Sequence, residues 1–138
     1  NKDGMDLVLC RFSNDFRKIV FSCANNPLWI CRENEIIEFK ADKQPVGISG
    51  STTLLQFRTQ EFDLESGDCI YLFTDGYADQ FGGPKGKKFK YKALKELLVK
   101  NHKLPMSAQK QILKKYFLEW KGTLAQIDDV LLIGIKIR

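Results

Sequence analysis

The sequence predicts an α+β fold in which antiparallel strands come first, a pair of helices follows, and one strand closes the chain. Short apolar segments separated by turn signals fill the first half, two amphipathic stretches follow, and an apolar segment ends the sequence. Strands grouped before helices favour an antiparallel sheet over alternating β-α-β units. The chain has 138 residues, of which 43% are hydrophobic, and this size fits one domain with its own core. No apolar run approaches the roughly 20 residues that cross a bilayer.

Four short strands are predicted at the start of the chain. Each is rich in apolar and β-branched residues and is bounded by residues that favour turns. The predicted strands are Met5–Phe12, Lys18–Ala24, Leu28–Arg32 and Glu35–Phe39. Because their connections are short, we expect an antiparallel meander.

The middle of the chain leads into a central strand. A loop that contains Pro45 is expected over residues 41–51, and residues 53–57 and 59–64 are expected to be extended. The apolar segment Cys69–Thr74 forms the central strand and runs directly into an acidic turn.

Two helices and a last strand complete the prediction. The segment GGPKGKK, residues 82–88, is expected to be a mobile loop because glycine and proline disfavour regular structure. Leucine spacing predicts a helix over Tyr91–Asn101. A second helix is predicted over Ser107–Lys121, with Ser107 as its N-cap and Gly122 ending it. Val130–Ile137 is the last strand.

Charge and cysteine content argue against several classes of protein. The formal net charge is +5, but much of it comes from one lysine cluster, and no aromatic-rich basic platform is evident, so a nucleic-acid-binding domain is disfavoured. The 4 cysteines fall in or beside apolar segments without a C-x-x-C pair. We therefore expect buried free thiols in a reducing cytoplasm rather than disulfides or zinc ligands.

Acidic residues flank two of the predicted strands. Asp75 follows the central strand, and Asp128 and Asp129 precede the last one. If these strands are antiparallel neighbours, the carboxylates meet at one end of the sheet, where oxygen ligands select Mg²⁺ or Mn²⁺. On spacing alone, ordinary turn chemistry is the simpler interpretation of both motifs. No convincing Ser-His or Cys-His set offers a protein nucleophile.

Several short motifs together resemble a known family. They are DGMDLVLC from Asp3, ANNPLWI from Ala24, PVGI from Pro45, GDCIYLFTDGYADQFGG from Gly67 and QIDDVLLIGIKI from Gln126. In this order they resemble the SpoIIE-type phosphatases, the bacterial branch of the metal-dependent PPM serine/threonine phosphatases, and most of all the members found in Bacteroidetes-type sensor proteins. The resemblance covers nearly the whole chain.

The resemblance implies a PPM-type αββα sandwich with a binuclear Mn²⁺ or Mg²⁺ centre, at which metal-activated water attacks a phosphoserine or phosphothreonine. It implies that Asp75 and Asp128 are metal ligands, with Asp129 at the adjacent position. Gly76 would shape the turn beside Asp75, because glycine permits a tight bend.

One departure from the family pattern limits the expected activity. The family's other metal motifs, a G-D segment and a D-G-H-G-like segment, should lie before Met5, and Asp3-Gly4 resembles the latter only superficially. Because the chain starts at Asn1 rather than Met, we expect residues 1–138 to be the C-terminal part of one phosphatase domain. Metal affinity would then be weak, and the fragment would be inactive by itself. The alternative is a non-catalytic pseudophosphatase that relays a sensor signal by contact.

Further residues beside these motifs carry weaker hypotheses. Asn25 and Asn26 could position a substrate or water, although a turn role explains them. Asp79 could lie around the metal, although turn or helix-start chemistry also suits it. Three lysines could steer a phosphorylated partner, although a solvated loop explains them too. They are Lys85, Lys87 and Lys88.

The resemblance also implies the partners. They are a phosphorylated protein substrate, such as an anti-sigma-factor antagonist, and a sensory region upstream in the same protein. We expect a cytoplasmic domain without membrane contact in this segment, and an incomplete sheet leaves pairing with a second copy open.

Overall fold

Two antiparallel sheets pack face to face in this protein, and helices cover one of them. The computed structural model describes residues 4–47 and 56–138. Asp3 and most of the extended segment expected over residues 53–57 lie outside the described residues. Among the described helices, none combines the length and the apolar character that a bilayer crossing requires.

The observed elements follow the predicted order. The strands are β1 (Gly4–Met5), β2 (Leu7–Phe12), β3 (Lys18–Ala24), β4 (Leu28–Arg32), β5 (Glu35–Phe39), β6 (Val46–Gly47), β7 (Gln60–Asp63), β8 (Cys69–Phe73), β9 (Phe81–Gly82), β10 (Lys87–Lys88) and β11 (Leu132–Lys136). The helices are α1 (Gly76–Asp79), α2 (Tyr91–Asn101) and α3 (Met106–Lys121). The bounds of β3, β4, β5 and α2 coincide with the prediction, because local apolar patterns and turn residues define them.

The first four strands do not form the predicted meander. β2 and β3 pair in a three-stranded sheet of order β2-β3-β7, whereas β4 and β5 pair in a four-stranded sheet of order β11-β8-β4-β5. The connection between β3 and β4 therefore crosses from one sheet to the other. Short connections predicted each hairpin correctly but could not show that the two hairpins belong to different sheets.

The four-stranded sheet is buried on both faces. Trp29, Cys31 and Tyr71 face the helices, where they pack with leucines and aromatic residues of α2 and α3. Ile30 and Ile70 face the other sheet and pack with residues of β3. Burial on both faces explains why β4 and β8 are apolar at nearly every position. The predicted α+β class with antiparallel sheets is confirmed. Of the αββα sandwich that the resemblance implies, the described residues form the two sheets and one helical layer.

Two local predictions are wrong. The segment expected to be a mobile loop contains β9 and β10, which pair as an antiparallel hairpin. Helix α3 begins at Met106, directly after Pro105, and Ser107 lies inside its first turn rather than at the N-cap. The predicted stop is correct, because Gly122 adopts φ +55° at the C-terminal end of α3. Within the described residues the cysteines are free thiols, and Cys10 is the least buried.

Candidate metal centre

The turn that contains Asp75 and the turn that contains Asp128 and Asp129, called the acidic turns below, lie at the same end of the four-stranded sheet. Strands β8 and β11 are antiparallel neighbours, with Phe73 opposite Leu132. Asp75 lies two residues beyond the last residue of β8, and Asp128 lies on the segment that enters β11. Adjacent antiparallel strands therefore bring the turns together, as their polarity in the sequence predicts.

Thr74 joins the two turns through hydrogen bonds. Its backbone N–H donates to the Leu131 carbonyl at 3.0 Å, and its hydroxyl donates to the Asp129 carbonyl at 2.7 Å. The same hydroxyl accepts from the Leu131 N–H at 3.0 Å. A serine or threonine is needed for this pattern, because one side-chain oxygen must act as both donor and acceptor. Thr74 thus holds the backbone beside Asp75 against the backbone beside Asp128.

Gly76 is required for a different reason from the one expected. It is the first residue of helix α1, and it is not among the glycines with positive φ, so no unusual backbone bend occurs there. Instead, a Cβ atom at this position would lie 2.4 Å from the Asp129 carbonyl oxygen. Gly76 therefore allows the two turns to approach closely.

Negative charge is concentrated around Asp75. Partial burial raises the pKa of the Asp75 carboxyl above its ordinary value, and the negative charge of Asp128 raises it further. Asp79 and Asp6 add smaller effects in the same direction. Asp75 occupies the N-cap position of α1, but its side chain makes no capping hydrogen bond. Like charges thus gather around Asp75, and a bound cation would relieve their repulsion.

Two residues near the site were not singled out from the sequence. Asp6 accepts a hydrogen bond from the Asn25 side-chain amide at 2.7 Å, which ties the start of β2 to the loop after β3. Tyr91 begins α2, and its ring packs against those of Trp29 and Phe73. Burial raises the pKa of Tyr91 to about 12, and the charge of Asp75 adds to this. Asp6 lies within the quoted DGMDLVLC motif, but only the folded chain reveals that its charge acts on Asp75.

The other predicted site residues are engaged in other contacts or lie on other elements. The Asp129 carboxylate is not among the charges that shift Asp75, and this residue contributes its backbone carbonyl instead. Asn26 has a turn role, with its N–H donating to the Ala24 carbonyl at 2.7 Å. Asp79 forms an ion pair with Lys88 at 3.0 Å. Lys85 and Lys87 lie on the hairpin formed by β9 and β10.

The donor chemistry fits a hard divalent cation, but the described ligand set is partial. Asp75 and Asp128 offer carboxylate oxygens, which are the ligands that Mg²⁺ and Mn²⁺ prefer. Across residues 4–47 and 56–138, no group of 3 or more His, Cys, Asp or Glu side chains is arranged to hold a metal ion. If this part of the chain holds a cation, Asp75 and Asp128 are the residues that would bind it.

Comparison with known protein families gives one match over nearly the whole chain. The profile of the family described as Stage II sporulation protein E (SpoIIE) matches residues 2–138. A search of curated proteins found no significant match.

Solved structures match this chain over nearly all its length. The SiaA-PP2C domain of Pseudomonas aeruginosa is 25% identical with a TM-score of 0.85, and the match covers 96% of this chain and 51% of that one. The RsbU and RsbW domains of Rv1364c from Mycobacterium tuberculosis are 18% identical with a TM-score of 0.73, covering 96% and 36%. The PP2C phosphatase domain with a regulatory fragment of SpoIIE from Bacillus subtilis is 19% identical with a TM-score of 0.71, covering 96% and 37%. The chain thus spans about half or less of these structures.

Proposed function

The chain belongs to the SpoIIE family, and from this premise we propose that it forms part of a metal-dependent phosphatase that acts on phosphoserine or phosphothreonine in proteins. Residues 1–138 would be the C-terminal part of one catalytic domain. The similarity to PP2C-type phosphatase domains over 96% of the chain supports this assignment.

One observation carries the proposal. Asp75 and Asp128 lie at the joined ends of neighbouring strands, and the charge of Asp128 acts on the Asp75 carboxyl. We propose that these carboxylates hold Mn²⁺ or Mg²⁺, while Thr74 and Gly76 set the spacing between the two turns. A divalent ion bound there would neutralise phosphate charge and make hydroxide available near neutral pH.

Residues around the pair have roles that follow from their contacts. Asn25 orients the Asp6 carboxylate through its amide, and Asp6 adds negative charge to the site. The Tyr91 phenol is protonated at neutral pH even with an ordinary pKa, and burial raises that pKa to about 12, so the phenol remains a hydrogen-bond donor. It could donate to a phosphoryl oxygen of the substrate.

The biological partners are part of the proposal as well. A phosphorylated protein, such as an anti-sigma-factor antagonist, would be the substrate in bacterial signalling. A sensory region in the same protein would control the activity. Pairing with a second copy would use a sheet edge, since β11 is at the edge of its sheet among the described strands.

The second candidate function is a pseudophosphatase, a domain of the same fold that binds its partner without hydrolysis. The partial ligand set favours it, since no 3 His, Cys, Asp or Glu side chains come together as a metal cluster among the described residues. It differs from the first candidate in one respect that can be measured, which is the release of phosphate.

Calorimetric titration with Mn²⁺ tests the metal site directly. We expect weak binding to this chain that is lost in Asp75→Asn and in Asp128→Asn, because each change removes a charged ligand. Asp63→Asn is the matched control, since Asp63 is highly exposed on β7 and belongs to the other sheet. Binding that survives both site substitutions would contradict the assignment.

Phosphate release by the intact protein tests the activity. We expect Mn²⁺-dependent release from phosphoserine peptides, reduced at least about 100-fold in Asp75→Asn, and unaffected in the Asp63→Asn control. Unchanged release in Asp75→Asn would overturn the phosphatase proposal. Partner binding without any release would favour the pseudophosphatase.

A further inference from the structure

A lysine-bearing hairpin lies beside the acidic site, and we propose that it recognises acidic residues next to the phosphorylated residue of the substrate. The hairpin comprises residues 81–88, with β9 and β10 as its strands. This inference rests on the proposed phosphatase function, because it concerns the selection of the substrate for that same site.

The hairpin has a defined turn despite its glycine-rich sequence. Gly83 and Gly86 adopt φ +67° and +57°, values that favour glycine, and the Gly86 N–H donates to the Gly83 carbonyl at 3.2 Å. The pairing places Lys87 opposite Gly82 and Lys88 opposite Phe81. The glycines therefore specify the turn that presents the lysines.

Trp120 of helix α3 anchors the base of the hairpin. A Cβ atom on Gly82 would lie 1.9 Å from the Trp120 carbonyl oxygen, and the Gly83 N–H donates to that oxygen at 2.8 Å. The Trp120 indole N–H donates to the Gln80 carbonyl at 2.9 Å. The Phe89 ring packs edge-on against the indole, with centroids 5.3 Å apart. These contacts hold the hairpin in one position relative to α3.

The hairpin is also tied to helix α1, which begins directly after Asp75. Lys88 forms an ion pair with Asp79 at 3.0 Å, and the Lys90 N–H donates to the Ala78 carbonyl at 2.7 Å. Asp79 lies about one helical turn, or roughly 5 Å, from Asp75. The hairpin turn lies about three strand residues beyond Lys88, so it is at most about 10 Å further from Asp79. An extended peptide covers that distance in roughly four residues.

The positively charged hairpin and the proposed metal site at Asp75 and Asp128 together suit a phosphopeptide that also carries carboxylates. Lys85 and Lys87 are exposed, and neither forms a salt bridge with another described residue. A peptide whose phosphate reaches the proposed metal site at Asp75 and Asp128 would place carboxylates about four residues away within reach of these ammonium groups. A continuous nucleic-acid strand fits less well, because its backbone charges would also run past the uncompensated carboxylates of the site.

Binding of labelled phosphopeptides to the intact protein tests this inference. Two peptides of equal length are compared by fluorescence anisotropy, one with glutamates about four residues from the phosphoserine and one with glutamines there. We expect about fivefold tighter binding of the acidic peptide at low salt, and loss of this preference in Lys85→Gln/Lys87→Gln and at high salt. Lys110→Gln/Lys114→Gln on α3 is the control with the same charge change and should keep the preference.

The possible outcomes separate this inference from the phosphatase proposal. An acidic preference that persists in the hairpin variant overturns the inference, as does lysine-dependent binding of a single-stranded oligonucleotide that equals that of the acidic peptide. Phosphate release is measured separately on both peptides. If phosphate is released but the acidic peptide is not preferred, only the hairpin inference is contradicted. If the acidic peptide is preferred in a lysine-dependent way but no phosphate is released, only the phosphatase proposal is contradicted.

Discussion

Two aspartates flank the same strand, β8, and their surroundings differ in almost every respect. Asp68 precedes the strand, and its side chain is only 1% exposed. Its carboxylate accepts hydrogen bonds from Arg32 Nε at 2.9 Å and Nη2 at 2.7 Å, and from the Glu65 N–H at 2.9 Å. Asp75 follows the strand and is exposed, and the charges of the described residues that act on it belong to carboxylates.

The comparison separates a structural carboxylate from a candidate functional one. The guanidinium of Arg32 compensates Asp68 with two parallel hydrogen bonds, and the hydrogen bond from Arg32 also raises the pKa of that guanidinium. Within residues 4–47 and 56–138, no arginine or lysine forms a salt bridge with Asp75, so its charge is available to a ligand. A carboxylate that the fold leaves uncompensated, at a sheet end where a second one arrives, is a stronger functional candidate than a buried one that is fully bonded.

The largest expected effect comes from removing the ion pair between Asp68 and Arg32 at the start of β8. Asp68→Ala leaves Arg32 partly buried, with its side chain 23% exposed and its main partner gone. We expect a loss of about 3 kcal/mol in the free energy of unfolding, measured by urea denaturation. Glu65→Gln is the control, because Glu65 also pairs with Arg32 but is 66% exposed, and it should cost less than about 1 kcal/mol. Equal losses in the two variants would show that Asp68 is not the main partner.

A smaller effect is expected from forcing the two acidic turns apart. Gly76→Ala places a methyl group against the Asp129 carbonyl oxygen, so the turns must separate. We expect a loss of about 2 kcal/mol in unfolding free energy and weaker Mn²⁺ binding by calorimetry. Ser107→Ala is the control, since Ser107 is exposed and makes no capping bond, and it should change stability by less than about 0.5 kcal/mol. A stable Gly76→Ala protein with unaltered Mn²⁺ affinity would contradict the close-approach role.

The smallest expected effect is a gain in the free energy of unfolding rather than a loss. Asp75→Asn removes a charge that its neighbours repel, so we expect the metal-free protein to gain about 0.5 kcal/mol at pH 7, a small value because solvent screens this exposed group. The pKa of Asp75 is raised in the folded state, so its ionisation costs stability as pH rises through that pKa. The gain should therefore vanish below about pH 4, where Asp75 is protonated in both the folded and the unfolded state. Urea denaturation with a chelator present measures it, and destabilisation at pH 7 would show that a compensating partner exists.

Local patterns in the sequence determined much of this protein. The strands Lys18–Ala24 and Leu28–Arg32 and the helix Tyr91–Asn101 have the predicted bounds, because apolar spacing and turn residues act over a few positions. The polarity of the strands that flank Asp75 and Asp128 predicted their approach on the condition that the strands are neighbours, and the structure shows that β8 and β11 are.

Tertiary structure alone decided the remaining features, because each depends on residues far apart in the chain. It assigned the first two hairpins to different sheets. It also anchored the hairpin of residues 81–88 through a hydrogen bond to the backbone of Trp120, which lies on helix α3. It brought Asp6 and Tyr91 close enough for electrostatic interaction with Asp75. Long-range packing, unlike a local pattern, leaves no periodic signal in the sequence, and it determines which carboxylates are compensated and which remain free to bind.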